Sequence, residues 1–215
     1  LSTHAFRRSS IIQRLVAATI AVSFAVLQSA CSTTPSQQTQ TRIDIEKDVG
    51  FTITEEARIG ANVRADYDAA MTLLEQGHYS EGIKLLEAIT EKAPTLTAPR
   101  IDLGIAQHRA GNLDAAEKNL RKALELAPNH PIVHNELGII YRKSGRFDEA
   151  RKSYEAALAV YPGYHFARRN LAILCDLYLA DLECALENYQ AYMATVSSDD
   201  EVAMWMTDIR RRLGQ

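Results

Sequence analysis

The chain has 215 residues, and its 24 Lys+Arg against 27 Asp+Glu give a formal net charge of −3. With 47% hydrophobic and 24% charged residues it is neither disordered nor of low complexity as a whole, and 10 Gly with 6 Pro are too few for a loop-rich all-β protein. Three cysteines cannot frame a disulfide mini-domain, and the lack of a basic excess argues against a nucleic-acid partner.

The N-terminal thirty residues read as an address. Arg7, Arg8 and Arg14 are basic, no acid precedes Asp44, and Leu15 to Leu27 is a run of 13 uncharged, mostly aliphatic residues. That order of a basic region, an apolar region and the small residues Ser29-Ala30 is a secretory signal. A helix of that run spans roughly 20 Å, short of the ~30 Å hydrocarbon layer, so a cleaved signal fits better than a membrane span. Cys31 follows directly, and the segment resembles the lipobox of bacterial lipoproteins, with Gln28 where that family prefers Leu. The resemblance implies a signal peptide over residues 1–30, a lipid on the Cys31 thiol, and, with Ser32 next, sorting to the periplasmic face of the outer membrane. An ordinary signal cut after Ala30 is the alternative. Removing residues 1–30 leaves 21 Lys+Arg against 27 Asp+Glu, which weakens nucleic-acid or anionic-lipid attraction further.

Residues 31–53 are predicted to be the lipid attachment point and a flexible tether. Ser32 to Thr41 carries no charge and no large apolar side chain, so it cannot bury enough surface to order itself. Ile43, Ile45, Val49, Phe51 and Ile53 alternate instead, as in a short extended segment lying on a folded body. Thr52-Ile53-Thr54-Glu55 has the form of a capping box, which predicts a first helix extending back to Thr54.

From there the chain repeats with a 34-residue period. Pro94, Pro128 and Pro162 share one phase; Gly77, Gly111 and Gly145 a second; Gly82, Ala116 and Ala150 a third; Ala70, Gly104 and Gly138 a fourth. The phrases Gly-Asn-Leu-Asp-Ala-Ala (111–116) and Gly-Arg-Phe-Asp-Glu-Ala (145–150) are nearly the same. Each position has a physical reason. Gly111 and Gly145 suit a left-handed helix end. Asp114 and Asp148 suit the N-terminal dipole of the next helix. Pro128 and Pro162 stop it. Ala116 and Ala150 are small where two helices cross. The pattern resembles the tetratricopeptide repeat (TPR). That resemblance implies an all-α fold, a right-handed TPR superhelix of antiparallel helix pairs, over residues 54–215. The repeats fall at about 63–96, 97–130, 131–164 and 165–198. The fourth is atypical, with one residue inserted between Leu171 and Ala185 and Tyr192 at a usually small position, as expected of a terminal unit. Residues 200–213 form a capping helix, Asp200 its cap, with Val202, Trp205, Met206, Ile209 and Leu213 in one apolar stripe.

The chain carries no phosphate loop, no Gly-x-Ser-x-Gly, no His-Glu-x-x-His and no four-cysteine zinc pattern, so it reads as a non-enzyme with no cofactor, no metal and no small-molecule substrate. His130 and His134 lie four apart, but Pro131 starts the helix and leaves His130 outside it. Cys175 and Cys184 flank the turn of repeat four and are either a disulfide or two small buried side chains.

The TPR resemblance makes the concave face of the first helices the candidate binding groove. By phase it is lined by Tyr67 and Met71, then Ile101, Asp102, Ile105 and His108, then Ile132, Asn135, Ile139 and Arg142, then Phe166, Arg169, Asn170 and Ile173. Its isoleucines point to a protein or peptide partner or to contact with the N-terminal segment, with the partner favoured. The whole layout resembles the outer-membrane TPR lipoproteins that assist pilus and secretin biogenesis. It implies a tethered protein–protein interaction scaffold for an envelope machine. An accessory of an energised envelope transport system, or a regulatory partner of a cell-wall enzyme, are the alternatives.

Overall fold

Each predicted repeat folds as two helices joined by a turn whose backbone only glycine adopts without cost. The computed structural model describes residues 40–46, 50–56 and 59–215. The signal peptide, Cys31 and the first part of the tether lie outside the described residues. Four helix pairs follow in order: α1 (Ala61–Glu75) with α2 (Tyr79–Lys92), α3 (Thr97–Arg109) with α4 (Leu113–Leu126), α5 (Pro131–Lys143) with α6 (Phe147–Val160), and α7 (His165–Leu177) with α8 (Leu182–Met193). A final helix, α9 (Asp200–Leu213), closes the stack. In the first three pairs the turn glycine, Gly77, Gly111 or Gly145, has φ of +83°, +85° or +74°. The following N–H then reaches back to a carbonyl of the helix just ended, as from Asn112 to Gln107 at 2.9 Å. The Asn112 side chain accepts from the Ala115 N–H and starts α4.

The pairs are held by close approach. A Cβ on Gly104 would lie 2.6 Å from Leu120 Cγ, and one on Gly138 would lie 2.4 Å from Tyr154 Cε1. Ala116 and Ala150 are fully buried. One apolar core runs from Ile101 and Ala116 through Tyr154, Leu174 and Tyr189 to Val202 and Ile209 of α9. A smaller one joins Ala70, Leu74, Leu86 and Ile89 of repeat one to Leu103 and Ala106 of repeat two. Neighbouring first helices touch, α3 with α5 and α5 with α7, and so form one continuous wall. This is the expected TPR-type solenoid with its capping helix. The α9 cap is Asp199 rather than Asp200: its carboxylate accepts from the Val202 N–H, and Asp200 is the first helical residue.

Repeat four departs where the sequence departs. Its turn, residues 178–181, is one residue longer than the others, and Ala180 takes the positive φ (+53°) that glycine holds elsewhere. A side chain there costs roughly 1–2 kcal/mol.

The N-terminal side of the solenoid corrects two expectations. Residues 40–46 and 50–53 are strand rather than tether, in line with the extended segment that the alternation of Ile43 to Ile53 suggests. β1 (Gln40–Glu46) and β2 (Gly50–Glu56) form an antiparallel hairpin with Ile43 opposite Ile53 and Ile45 opposite Phe51. The period-two alternation of apolar residues decides for strand, since directly opposed pairs share one face. Nor do Thr52 to Glu55 cap a helix. They belong to β2, and α1 begins at Ala61 with no side-chain cap.

The close approach in each pair sets a stability expectation. Ala150→Leu should overpack the α5–α6 crossing and lower stability by about 1–3 kcal/mol, read as a drop in thermal midpoint. An unchanged midpoint would mean the phase of the repeats is wrong.

Candidate protein-binding groove

The concave wall is built by first helices spaced one repeat apart, so a side chain on one reaches the next about 35 residues later. Tyr67 donates its hydroxyl to the Asp102 carboxylate, and Asn170 donates to Asn135 at 2.9 Å. Arg169 continues the series onto α9, with Glu201 at 3.0 Å and Asp199 at 3.8 Å. Between them the ladder is interrupted. Ile101 occupies the phase of Tyr67 and Asn135, and Glu136 turns to His108 instead, 3.7 Å from its Nδ1. His108 Nε2 is buried without a hydrogen-bond partner among the described residues. Arg142 reaches Tyr154 and Tyr178, each at 3.5 Å.

The fourteen groove residues therefore divide. Ile101 is 6% exposed and Asn135 3% exposed, so Ile101 belongs to the core and Asn135 to the ladder beneath the surface; neither offers itself to a partner. Sequence phase puts both on first helices, α3 and α5, but carries no record of how far neighbouring elements cover them. Ile105, Ile132, Ile139 and Ile173 are half-buried and backed by the core. Tyr67, Met71, Asp102, His108, Arg142, Phe166, Arg169 and Asn170 are likewise half-buried. The result is an apolar strip edged by polar groups that mostly satisfy one another.

Burial governs the electrostatics. It raises the Asp102 carboxyl to about 6, partly opposed by the Tyr67 hydrogen bond and by Arg109. Burial, reinforced by the neighbouring Asp102 charge, holds the Tyr67 phenol protonated, so it is the donor. Burial also lowers His130 to about 4; its Nδ1 accepts from the Val133 N–H and caps α5. His134 instead contacts the Pro128 carbonyl at 2.8 Å, so the two histidines are helix-start residues.

Cys175 and Cys184 form a disulfide, with Cα atoms 5.9 Å apart, across the longer turn that carries Ala180. The Asp181 carboxylate lies close by, within 4.8 Å of both sulfurs. It caps α8 through the Cys184 N–H and pairs with Arg151 at 2.9 Å. A bridged pair offers no thiolate to a metal.

One feature of the groove was not foreseen from the sequence. Glu55 of the hairpin accepts from the Thr97 N–H at 2.5 Å and the Ala98 N–H at 3.2 Å, and so caps α3 from outside its own segment. Thr41 meets Thr97 hydroxyl to hydroxyl at 3.2 Å. Phe51 packs edge-on against Tyr161 and Tyr164, ring centroids 5.4 and 5.3 Å away. The alternation of residues 43–53 signalled the strand but not where it docks.

These features define a helical-repeat solenoid of the kind that binds protein partners. Residues 94–163 match the tetratricopeptide repeat family. No curated protein matches the chain. Among solved structures it is similar to a MamA of Desulfovibrio magneticus RS-1, at 20% identity over 73% of this chain and 88% of that one, with a TM-score of 0.66. PilF of Pseudomonas aeruginosa is similar at 20% identity, over 70% and 68% of the two chains, with a TM-score of 0.63. A thermophilic TPR protein of Thermus thermophilus shares 22% identity over 69% and 81%, with a TM-score of 0.59. At these identities the likeness is one of fold.

Two outcomes follow from the groove and its turn. Asp102 has a folded value above its unfolded one, so its contribution to stability is complete below about pH 3.8 and is lost as pH rises through about 6. Asp102→Asn should therefore gain on the parent between pH 4 and 7, by on the order of 1–3 kcal/mol, in paired thermal melts. The opposite titration of His130, between about 4 and 6.5, is common to both proteins and cancels in the difference. A flat difference across that range would show the Asp102 environment to be wrongly described. Separately, alkylation of the oxidised protein should leave Cys175 and Cys184 unlabelled until a reductant is added. Immediate labelling of both would leave them as packing residues.

Proposed function

We propose that this protein is a non-catalytic scaffold, anchored by a lipid on Cys31 to the periplasmic face of the outer membrane, that holds a protein segment during assembly of an envelope machine such as a pilus or secretin. The observation that carries the reading is the concave strip of Ile105, Ile132, Ile139 and Ile173. Its members lie on the first helices of repeats two to four, half-buried against the core, with His108, Arg142 and Asn170 on the same helices. Such a strip suits a segment with spaced apolar anchors, because burying them stabilises by roughly 25 cal/mol per Å². The location is supported by the basic-then-apolar N-terminus ending at Cys31. A disulfide between Cys175 and Cys184 agrees with an oxidising compartment. Among the described residues no helix is long and apolar enough to cross a membrane.

The test is co-purification from native envelopes. Ile139→Asp places a carboxylate in the strip. It should retain parental far-UV circular dichroism while losing its partner, since an uncompensated buried charge at an interface costs several kcal/mol. Cys31→Ala should move the protein from outer-membrane fractions into the soluble periplasm. Partner recovery at parental levels with Ile139→Asp would overturn the groove, and membrane retention of Cys31→Ala would overturn the lipid anchor.

A further inference from the structure

The hairpin lies along the rim of the groove and is held at two separated points. Strand geometry puts Thr41, Ile43, Ile45, Phe51, Ile53 and Glu55 on one face, because they pair directly across the register and alternate along each strand. At one end of that face the Glu55 carboxylate receives two backbone N–H groups from the first turn of α3. At the other, Phe51 meets Tyr164, which precedes α7, and Tyr161, which ends α6. The hairpin thus crosses from repeat two to the start of repeat four. Tyr164 in turn stacks edge-on with Phe166 of the concave wall at 5.9 Å, and Glu55 bears electrostatically on Tyr67. Both anchors therefore lie at the starts of helices that carry groove residues, α3 and α7.

The attachment is thin for a permanent part of the fold. The contacting face leaves Ile45 49% exposed, and the neighbouring face is open, with Arg42, Thr52 and Thr54 exposed. An isolated two-stranded hairpin is marginally stable at best without such docking. The arrangement is that of a ligand on a receptor: one aromatic anchor in an aromatic socket, and one carboxylate on a helix N-terminus that otherwise has no side-chain cap.

We propose that the hairpin is a displaceable internal ligand of the groove, and that the partner segment which replaces it is an extended peptide bearing an aromatic side chain and, four residues further on, a carboxylate. This rests on the groove being the binding face. In the docked state Phe51 and Glu55 occupy the two recognition points, so apparent affinity for a partner is reduced by the fraction of molecules with the hairpin in place. Displacement exchanges like for like, an aromatic for Phe51 at Tyr161 and Tyr164 and a carboxylate for Glu55 at Thr97 and Ala98, which leaves no α3 donor unsatisfied at the end of the exchange.

The test uses the full chain and a fluorescein-labelled peptide of sequence Gly-Phe-Thr-Ile-Thr-Glu-Glu, that of residues 50–56, with fluorescence anisotropy as the readout. A release variant, Phe51→Ala with Glu55→Gln, weakens the internal competitor. It should bind the peptide about tenfold more tightly than the parent chain. Replacing the peptide's Phe by Ala, or the carboxylate four residues on by Gln, should cost it about tenfold each. A locked variant, Thr41→Cys with Thr97→Cys, places two thiols where the hydroxyls stand 3.2 Å apart. When oxidised it should not bind, and reductant should restore binding, while the parent under the same reductant is unchanged. Equal affinity of parent, locked and release forms would overturn the proposal. So would absence of binding by a release variant whose circular dichroism matches the parent. If native partner capture still depends on Ile139 while the lock has no effect on it, the groove reading stands and the displacement falls.

Discussion

The structure depends on how closely two helices of a pair can approach. Where Gly104 faces Leu120 and Gly138 faces Tyr154, the large side chain lies against bare backbone, closer than any Cβ would permit. That contact fixes the crossing of the second and third pairs, and Gly82 against Leu74 does the same in the first, so that successive pairs stack on one another. A continuous core then forms from repeat two to α9, with fully buried Ala116, Ala150 and Ala185 on the second helices. Burial of this kind is distributed along the chain and passes between nearest neighbours, which is why a closing helix is needed where the stack ends.

With the crossing fixed, first helices lie side by side and their edges must be satisfied. The chain does this with rungs between helices: Tyr67 donates to Asp102, Asn170 to Asn135 and Arg169 to Glu201. Ile101 breaks the series, and the displaced Glu136 is taken up by His108. The raised Asp102 carboxyl is a consequence of this arrangement, since a rung that sits between packed helices is desolvated on both sides. Repeat four meets a different local demand. Its turn lacks glycine, Ala180 takes the left-handed conformation, and the Cys175–Cys184 bridge with the Asp181 cap ties the two helices together across it.

The hairpin changes what the groove means. A TPR wall read from the repeats alone is an open surface awaiting a partner. Here its rim already carries a segment of the same chain, with Glu55 on α3 and Phe51 against Tyr161 and Tyr164. Both occupants that the concave isoleucines suggest, a partner or the N-terminal segment, thus bear on one surface. The hairpin meets its rim, and the strip from Ile105 to Ile173 continues beside it.

The sequence by itself determined the repeats, their phase, the turn glycines, the capping stripe of α9 and the insertion in repeat four. All of these are set by short-range rules: 3.6-residue periodicity, a left-handed turn, a proline stop, a small residue at a crossing. It also placed the wall residues on the right helices, because phase is local. The tertiary structure alone decided which of them face outward. Ile101 and Asn135 sit at groove phase yet are buried, since burial depends on what neighbouring elements pack against each edge, and phase does not record that. It alone decided that Glu55, read locally as part of a capping box, caps α3 instead, 42 residues away. A carboxylate goes to whichever unsatisfied N–H groups the packed chain brings within reach, and sequence spacing carries no record of that distance.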